Sequence, residues 1–127
     1  MPDQRYAQYL KGCDFIQRYI FPGSCVPSLG AISEAVRQRT DLKMVDLEDI
    51  APHYAETLRR WRDNFNAHRE DIRALGYPER FIRLWNYYFC YCEAGFDERY
   101  LSDLQIVLTR PKWRGEVPRR LGNGSSF

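Results

Sequence analysis

Two apolar stripes meet at a glycine–proline break, and any fold for this chain must accommodate them. Leu58, Trp61, Phe65, His68, Ile72 and Leu75 follow spacings of three, four, three, four and three, which gathers them on one face of a helix. Gly76 and Pro78 then mark a stop and a start, because glycine suits the position just past a helix end and proline the first turn of the next. A second series, Phe81, Leu84, Trp85, Tyr88, Cys92 and Gly95, lines one side of the helix that follows. Neither stripe can be buried alone. The short connection therefore predicts a long antiparallel helical hairpin, with helices over about 52–75 and 78–98.

Upstream of the hairpin, Tyr19-Ile20-Phe21-Pro22-Gly23-Ser24-Cys25-Val26-Pro27-Ser28 reads as a stiff apolar corner. Pro22 and Pro27 fix their own φ and push Phe21 and Val26 towards extended geometry, while Gly23 can turn left-handed. A helix over 4–20, weakened or interrupted at Gly12, leads into the corner. A second helix over 28–39 leaves it, with Ser28 as its cap. Strand patterns stand on both sides of the hairpin: a short one near 42–48, and an alternating one over 101–109 that ends at Pro111. The first of these is expected to need a neighbour along its edge.

At 127 residues the chain is one domain or part of one. Aromatics reach 15% and charged residues 28%, and no apolar run approaches the roughly 20 residues of a membrane span. The expected location is cytoplasmic, with contact at the periphery of the inner membrane face allowed. A formal charge of +2, with basic residues spread out, gives no stripe for tracking phosphates, so nucleic acid is not an expected partner. The cysteines Cys13, Cys25, Cys90 and Cys92 form no C-x-x-C pair. Cys90 and Cys92 point about 200° apart on a helix, and no metal site is expected. Residues 112–127, with Lys112, Arg114, Arg119 and Arg120 among glycines and serines, read as a basic disordered tail, either solubilising or drawn to anionic lipid.

Two polar residues interrupt the apolar pattern. His68 occupies a seam position, where a hydrogen-bonded interface histidine is the plain account. Glu93 lies among aromatics in Tyr91-Cys92-Glu93-Ala94-Gly95-Phe96, where a carboxylate needs a partner or a raised pKa. It is either a structural cap or salt bridge, or a functional group.

Taken together, Phe15-Ile16-Gln17-Arg18-Tyr19-Ile20-Phe21-Pro22-Gly23, Pro27-Ser28, Glu48-Asp49-Ile50 with His53-Tyr54 and Thr57-Leu58-Trp61, Arg80-Phe81 to Tyr88, and Cys92-Glu93-Ala94-Gly95-Phe96 resemble the C-terminal part of cyclopropane-fatty-acyl-phospholipid synthases and mycolic acid methyltransferases. The resemblance covers about residues 5–111. It implies an α+β portion of an α/β class I methyltransferase fold, with the helical hairpin inserted between two terminal antiparallel strands. Residues 1–111 would form the C-terminal, lipid-channel side of that domain.

The implied chemistry is transfer of a methyl group from S-adenosylmethionine to a cis double bond of an unsaturated phospholipid acyl chain, with a bound bicarbonate as proton acceptor. A transient carbocation favours aromatic faces and the exclusion of water. The residues implied for catalysis are Glu48, Tyr88 and Glu93, converging on one pocket. Those implied for substrate binding are Tyr19, Phe21, Gly23, Ile50, Trp61, Phe65 and Trp85, with the Ile50 backbone also holding the anion. Glu48 stands where the best-known cyclopropanating members have histidine, and Tyr19 and Gln17 lie where some members place a glutamate. A carboxylate at position 48 would repel bicarbonate unless protonated, or act as the base itself. The product class therefore stays open between cyclopropane, methyl branch and methylene.

The sequence contains no G-x-G-x-G turn, on which the family's cofactor site rests. No cofactor-binding residue is expected in this chain. The expected partner is the missing N-terminal methyltransferase half, supplied by an upstream polypeptide or lost by truncation, and the chain alone is expected to be inactive. The alternative is a lipid- or partner-binding helical module that has lost its chemistry.

Overall fold

The computed structural model describes residues 1–117; the rest of the predicted basic tail lies outside the described residues. In chain order the elements are α1 (Asp3–Tyr9), α2 (Phe15–Tyr19), α3 (Leu29–Arg39), β1 (Lys43–Asp49), α4 (Ala51–Ala67), α5 (Arg69–Ala74), α6 (Glu79–Asp97) and β2 (Leu104–Thr109). Residues 112–117 hold a turn and no helix or strand.

The predicted helix over 4–20 is two helices. Gly12 lies in the break, and Asp14 starts the second one through a capping box: its carboxylate accepts from Gln17 N–H at 2.8 Å, and Gln17 Oε1 accepts from Asp14 N–H at 3.0 Å. Gln17 also donates through Nε2 to the Ser24 carbonyl at 3.0 Å, which ties the helix to the corner. Gly23 has φ of 81°, the left-handed conformation that a side chain would strain. Ser28, buried, caps α3 by accepting from Ala31 N–H at 3.2 Å.

α4 and α6 run antiparallel, as their cross-contacts require. Tyr54 meets Phe96, Arg59 meets Glu93, Arg62 meets Cys90 and Asn66 meets Asn86, so one position climbs as the other falls. The core between them is Leu58, Phe89 and Cys92, with Ile16, Tyr54, Phe65, Trp85, Tyr88 and Phe96 packed around it. The buried line on α4 is Ala51, Ala55 and Leu58, and on α6 it is Ile82, Phe89 and Cys92. Trp61, one residue off the α4 line, is nearly half exposed. The long helix predicted over 52–75 breaks at His68, whose φ and ψ of −105° and 25° close α4 and open α5. His68 is exposed rather than in the interface, and its Nδ1 lies 2.8 Å from the Asn64 carbonyl.

β1 and β2 form a two-stranded antiparallel sheet with a bulge between Met44 and Asp46. The two strands differ in kind. β1 carries Lys43, Asp46, Glu48, Asp49 and the bulge, features that discourage pairing along a free edge, whereas Leu104-Gln105-Ile106-Val107-Leu108-Thr109 carries none. In this two-stranded sheet each strand keeps one unpaired edge, the predicted strand near 42–48 included, and β2 is the one without such protection. Asp49 locks the sheet to the helices: its Oδ1 accepts from the N–H groups of Ala51 and Asp103, at 3.0 and 3.3 Å.

Candidate functional site

The corner and the two long helices meet at an aromatic cup. Phe21 presents its edge to Tyr88 at 5.8 Å and to Trp85 at 6.4 Å. Trp85 in turn meets Tyr88 at 5.4 Å and stacks on Phe65 at 6.4 Å. Three physical requirements place these rings together: a corner held by Gln17 and Gly23, a stripe on α6 at three- and four-residue spacing, and an antiparallel α4. Phe21, Phe65, Trp85 and Tyr88, all named from the sequence, are thus brought into one cluster.

Burial in this cluster pushes the Tyr88 hydroxyl up to about 12, with the neighbouring Cys92 and Tyr54 adding to the effect. Burial likewise raises the Cys92 thiol to about 11. At neutral pH both are therefore protonated, and the Tyr88 hydroxyl interacts with the Cys92 thiol one turn on. The aromatic surface of the cup favours positive charge at the ring faces and holds water off.

The other named residues have different neighbours. Glu93 is turned to α4, where its carboxylate takes Arg59 Nε at 3.0 Å and Arg62 Nη1 at 2.8 Å. It lies five residues from Tyr88, which on a helix is a rotation of about 140°. Glu48 sits in β1 opposite Gln105. Among the described residues no hydrogen bond or ion pair joins Glu48, Tyr88 and Glu93. The Ile50 N–H donates to the Asp103 carbonyl at 2.8 Å, so in this structure that amide is not open to an anion. Trp61 packs on Tyr54 at 5.9 Å, and Tyr19 on Phe15 at 5.8 Å. Gly23 shapes the corner backbone and has no atom of the cup within 4 Å of where a Cβ would sit.

Sequence reasoning gave Phe89 no role and named Tyr54 and Gln17 only within the family resemblance. Gln17 had a legible signal, since Asp14 three residues before it completes a capping box. Tyr54 and Phe89 had none beyond aromatic character.

Two cavities lie elsewhere in the chain, neither lined by a member of the cup. One of about 540 Å³ is lined by residues including Tyr9, Ile16, Val26, Tyr91 and Leu101. The other, about 530 Å³, lies between α3 and the sheet, with Leu29, Ile32, Leu47 and Ile106 on its walls.

S-adenosylmethionine does not fit the described residues. Its methionine end needs a glycine-rich turn after a parallel strand, and the sheet here is a single antiparallel pair. The glycines with positive φ, Gly23 and Gly76, both follow helices. Among the described residues no group of three His, Cys, Asp or Glu gathers to hold a metal. No described helix is long and apolar enough to cross a membrane.

A sequence model of the mycolic acid cyclopropane synthetase family matches residues 1–106. The chain is 44% identical over 110 residues to the tuberculostearic acid methyltransferase of Mycobacterium tuberculosis, a match covering 87% of this chain and 26% of that protein. It is 33% identical over 96 residues to the cyclopropane-fatty-acyl-phospholipid synthase of Escherichia coli, covering 76% and 24%. To the sphingolipid C9-methyltransferase A of Emericella nidulans it is 32% identical over 97 residues, covering 76% and 18%. The chain thus spans about a quarter or less of the length of these curated relatives.

Proposed function

This chain belongs to the mycolic acid cyclopropane synthetase family, and on that premise we propose that it is the acyl-side portion of an S-adenosylmethionine-dependent lipid methyltransferase acting on a cis double bond of an unsaturated phospholipid acyl chain. Residues 1–111 form the C-terminal part of a class I methyltransferase domain. In that domain α4 and α6 are the helical insertion between its last two strands, and the free edge of β2 pairs with the rest of the sheet. The cofactor is held by a methyltransferase half outside this chain, and the chain alone binds no S-adenosylmethionine. Its place is cytoplasmic, at the inner membrane face.

One observation carries this reading: the cup of Phe21, Phe65, Trp85 and Tyr88 is built from three separate elements, and burial beside the Cys92 thiol keeps the Tyr88 hydroxyl neutral. What the chain contributes is environment. The rings take the alkyl chain and favour positive charge beside it, and Tyr88 donates a hydrogen bond from a hydroxyl that does not ionise near neutral pH. A bicarbonate, implied by the family, would find the Ile50 amide already bonded to the Asp103 carbonyl and would be repelled by an ionised Glu48, so no step is assigned to it.

The test is a chimera in which this chain replaces the matching segment of the tuberculostearic acid methyltransferase. Lipid extracts should contain methylated or cyclopropanated acyl chains, and Tyr88→Phe should lower turnover at least tenfold with cofactor affinity unchanged. Titration calorimetry of the isolated chain with S-adenosylmethionine should give no heat of binding. One-to-one micromolar binding there would overturn the division of labour proposed.

A second reading, a non-catalytic lipid- or partner-binding module, draws on the separate partners of Glu48, Tyr88 and Glu93. A chimera that binds cofactor normally yet yields no modified lipid would favour it.

A further inference from the structure

α6 has a second aromatic face that its packing against α4 does not use. Arg80, Leu84, Tyr87 and Tyr91 recur at four, three and four residues, and Arg83 lies one turn before Tyr87 on the same side. Phe15 of α2 sets its ring edge-on against Tyr87 at 4.6 Å, and Tyr87 stacks on Tyr91 at 6.0 Å. Towards the start of α6 the band continues into a groove of about 360 Å³ lined by Phe15, Tyr19, Pro78, Arg80, Phe81 and Leu84. It ends at the α5–α6 turn, where Tyr77 stacks on Phe81 at 4.4 Å and Leu75 is 76% exposed. Tyr19, Tyr77, Tyr87 and Tyr91 are all exposed. A contiguous apolar band of this kind marks an interaction surface rather than scattered surface hydrophobes.

The charges along the band narrow the partner. At the turn the acids Glu70 and Glu79 are already taken by Arg69 and Arg73. Asp71, in the first turn of α5, has no cation partner among the described residues. Arg80 and Arg83 have no acid partner among the described residues, and Arg18 stands over the Tyr19 ring at 5.6 Å without one. Free guanidinium groups beside tyrosines and one protruding leucine match the layers of a bilayer surface: phosphates, the headgroup level where amphipathic rings settle, and the acyl boundary.

We propose that this band, from Leu75 and Tyr77 through Arg80 and Arg83 to Tyr87 and Tyr91, docks the protein on an anionic phospholipid bilayer. Leu75 and Tyr77 enter the interface and the arginines engage lipid phosphates. The inference rests on the lipid-enzyme reading only in that the substrate would lie in the same bilayer, since docking itself requires no turnover.

The experiment is sedimentation of the purified chain with extruded vesicles of dimyristoyl lipids, which contain no double bond to react. One set is phosphatidylcholine and phosphatidylglycerol in equal parts, the other phosphatidylcholine alone. The expected result is binding to the anionic vesicles that weakens with salt, and little to the neutral ones. Each cation near an anionic surface contributes roughly a fivefold gain in partitioning, so R80E/R83E should reduce binding more than twentyfold. L75D/Y77D, at exposed positions, should reduce it about tenfold. R37E/R39E on α3 changes the net charge equally and should lose less than threefold. Equal losses in R80E/R83E and R37E/R39E would overturn the proposal, because binding would then follow total charge. No binding of the unaltered chain would also overturn it while leaving the chimera result standing, and a silent chimera beside intact vesicle binding would remove the catalytic reading alone.

Discussion

The two faces of α6 use similar residues to opposite ends. The face towards α4 buries Phe89 and Cys92 against Leu58 and holds several polar groups in cross-helix pairs. Asn66 and Asn86 exchange two amide hydrogen bonds of 2.7 and 3.0 Å, and Glu93 takes both Arg59 and Arg62. The face with Tyr87 and Tyr91 is as aromatic, yet its rings stay exposed and its arginines keep no acid partner among the described residues. Hydrophobicity alone therefore does not make a core. A partner inside the chain does, and among the described residues Phe15 is the ring that meets Tyr87 and Tyr91 from outside α6.

Breaking the inner face should have the largest effect. Leu58 is fully buried at 0% exposure, so Leu58→Ala should destabilise the chain by about 3 kcal/mol through lost burial and the cavity left behind. Urea denaturation followed by circular dichroism gives the shift in midpoint, and a loss below about 1 kcal/mol would show that the α4–α6 interface is loosely packed.

Glu93→Gln tests whether that glutamate is structural. Its side chain is 14% exposed between two arginines, and removal of a charge-assisted pair at such a site should cost about 2 kcal/mol. If stability were unchanged while the chimera lost turnover, Glu93 would move from the interface to the chemistry.

Alkaline pH sharpens the comparison without a mutation. In the folded chain burial holds Cys92 up to about 11 and Tyr88 up to about 12, against ordinary values of 9.0 and 10.0. Above the ordinary values the unfolded chain releases protons that the folded chain keeps, so stability present below pH 9 falls progressively until the folded values are passed near pH 12. Cys92→Ala should flatten the early part of that fall and Tyr88→Phe the later part, read as denaturation midpoints against pH.

Phe21→Ala should show the smallest effect on folding. The ring is 47% exposed on the corner, and its loss should cost less than about 1 kcal/mol. The same substitution should nevertheless impair the chimera, because Phe21 forms one wall of the cup. A stability loss like that of Leu58→Ala would mean that the corner belongs to the core.

Much of this was legible in order and type. The Gly76–Pro78 break, the capping role of Ser28, the left-handed turn at Gly23 and both strands follow from local chemistry, since propensity and φ restrictions act within a few residues. The aromatic members of the cup were legible as well, because large apolar groups at helical spacing have to be covered. The buried line on α4 was legible only in part. Ala51 and Ala55 are small and carry little signal, and of the predicted stripe Leu58 and Phe65 reach the core while Trp61 stays nearly half exposed.

What the sequence determined by itself is the set of local decisions: where helices start and stop, which stripes are apolar, and the motifs that place the chain in its family. Only the tertiary structure decided which groups meet. Rotation about α6 turns Glu93 to Arg59 and Arg62 and leaves Tyr88 with Phe21, although the two lie five residues apart. Pairing with β2 commits the Ile50 N–H to Asp103 across more than fifty residues. Side-chain type records what a group needs, and the packing of distant segments determines which neighbour satisfies it.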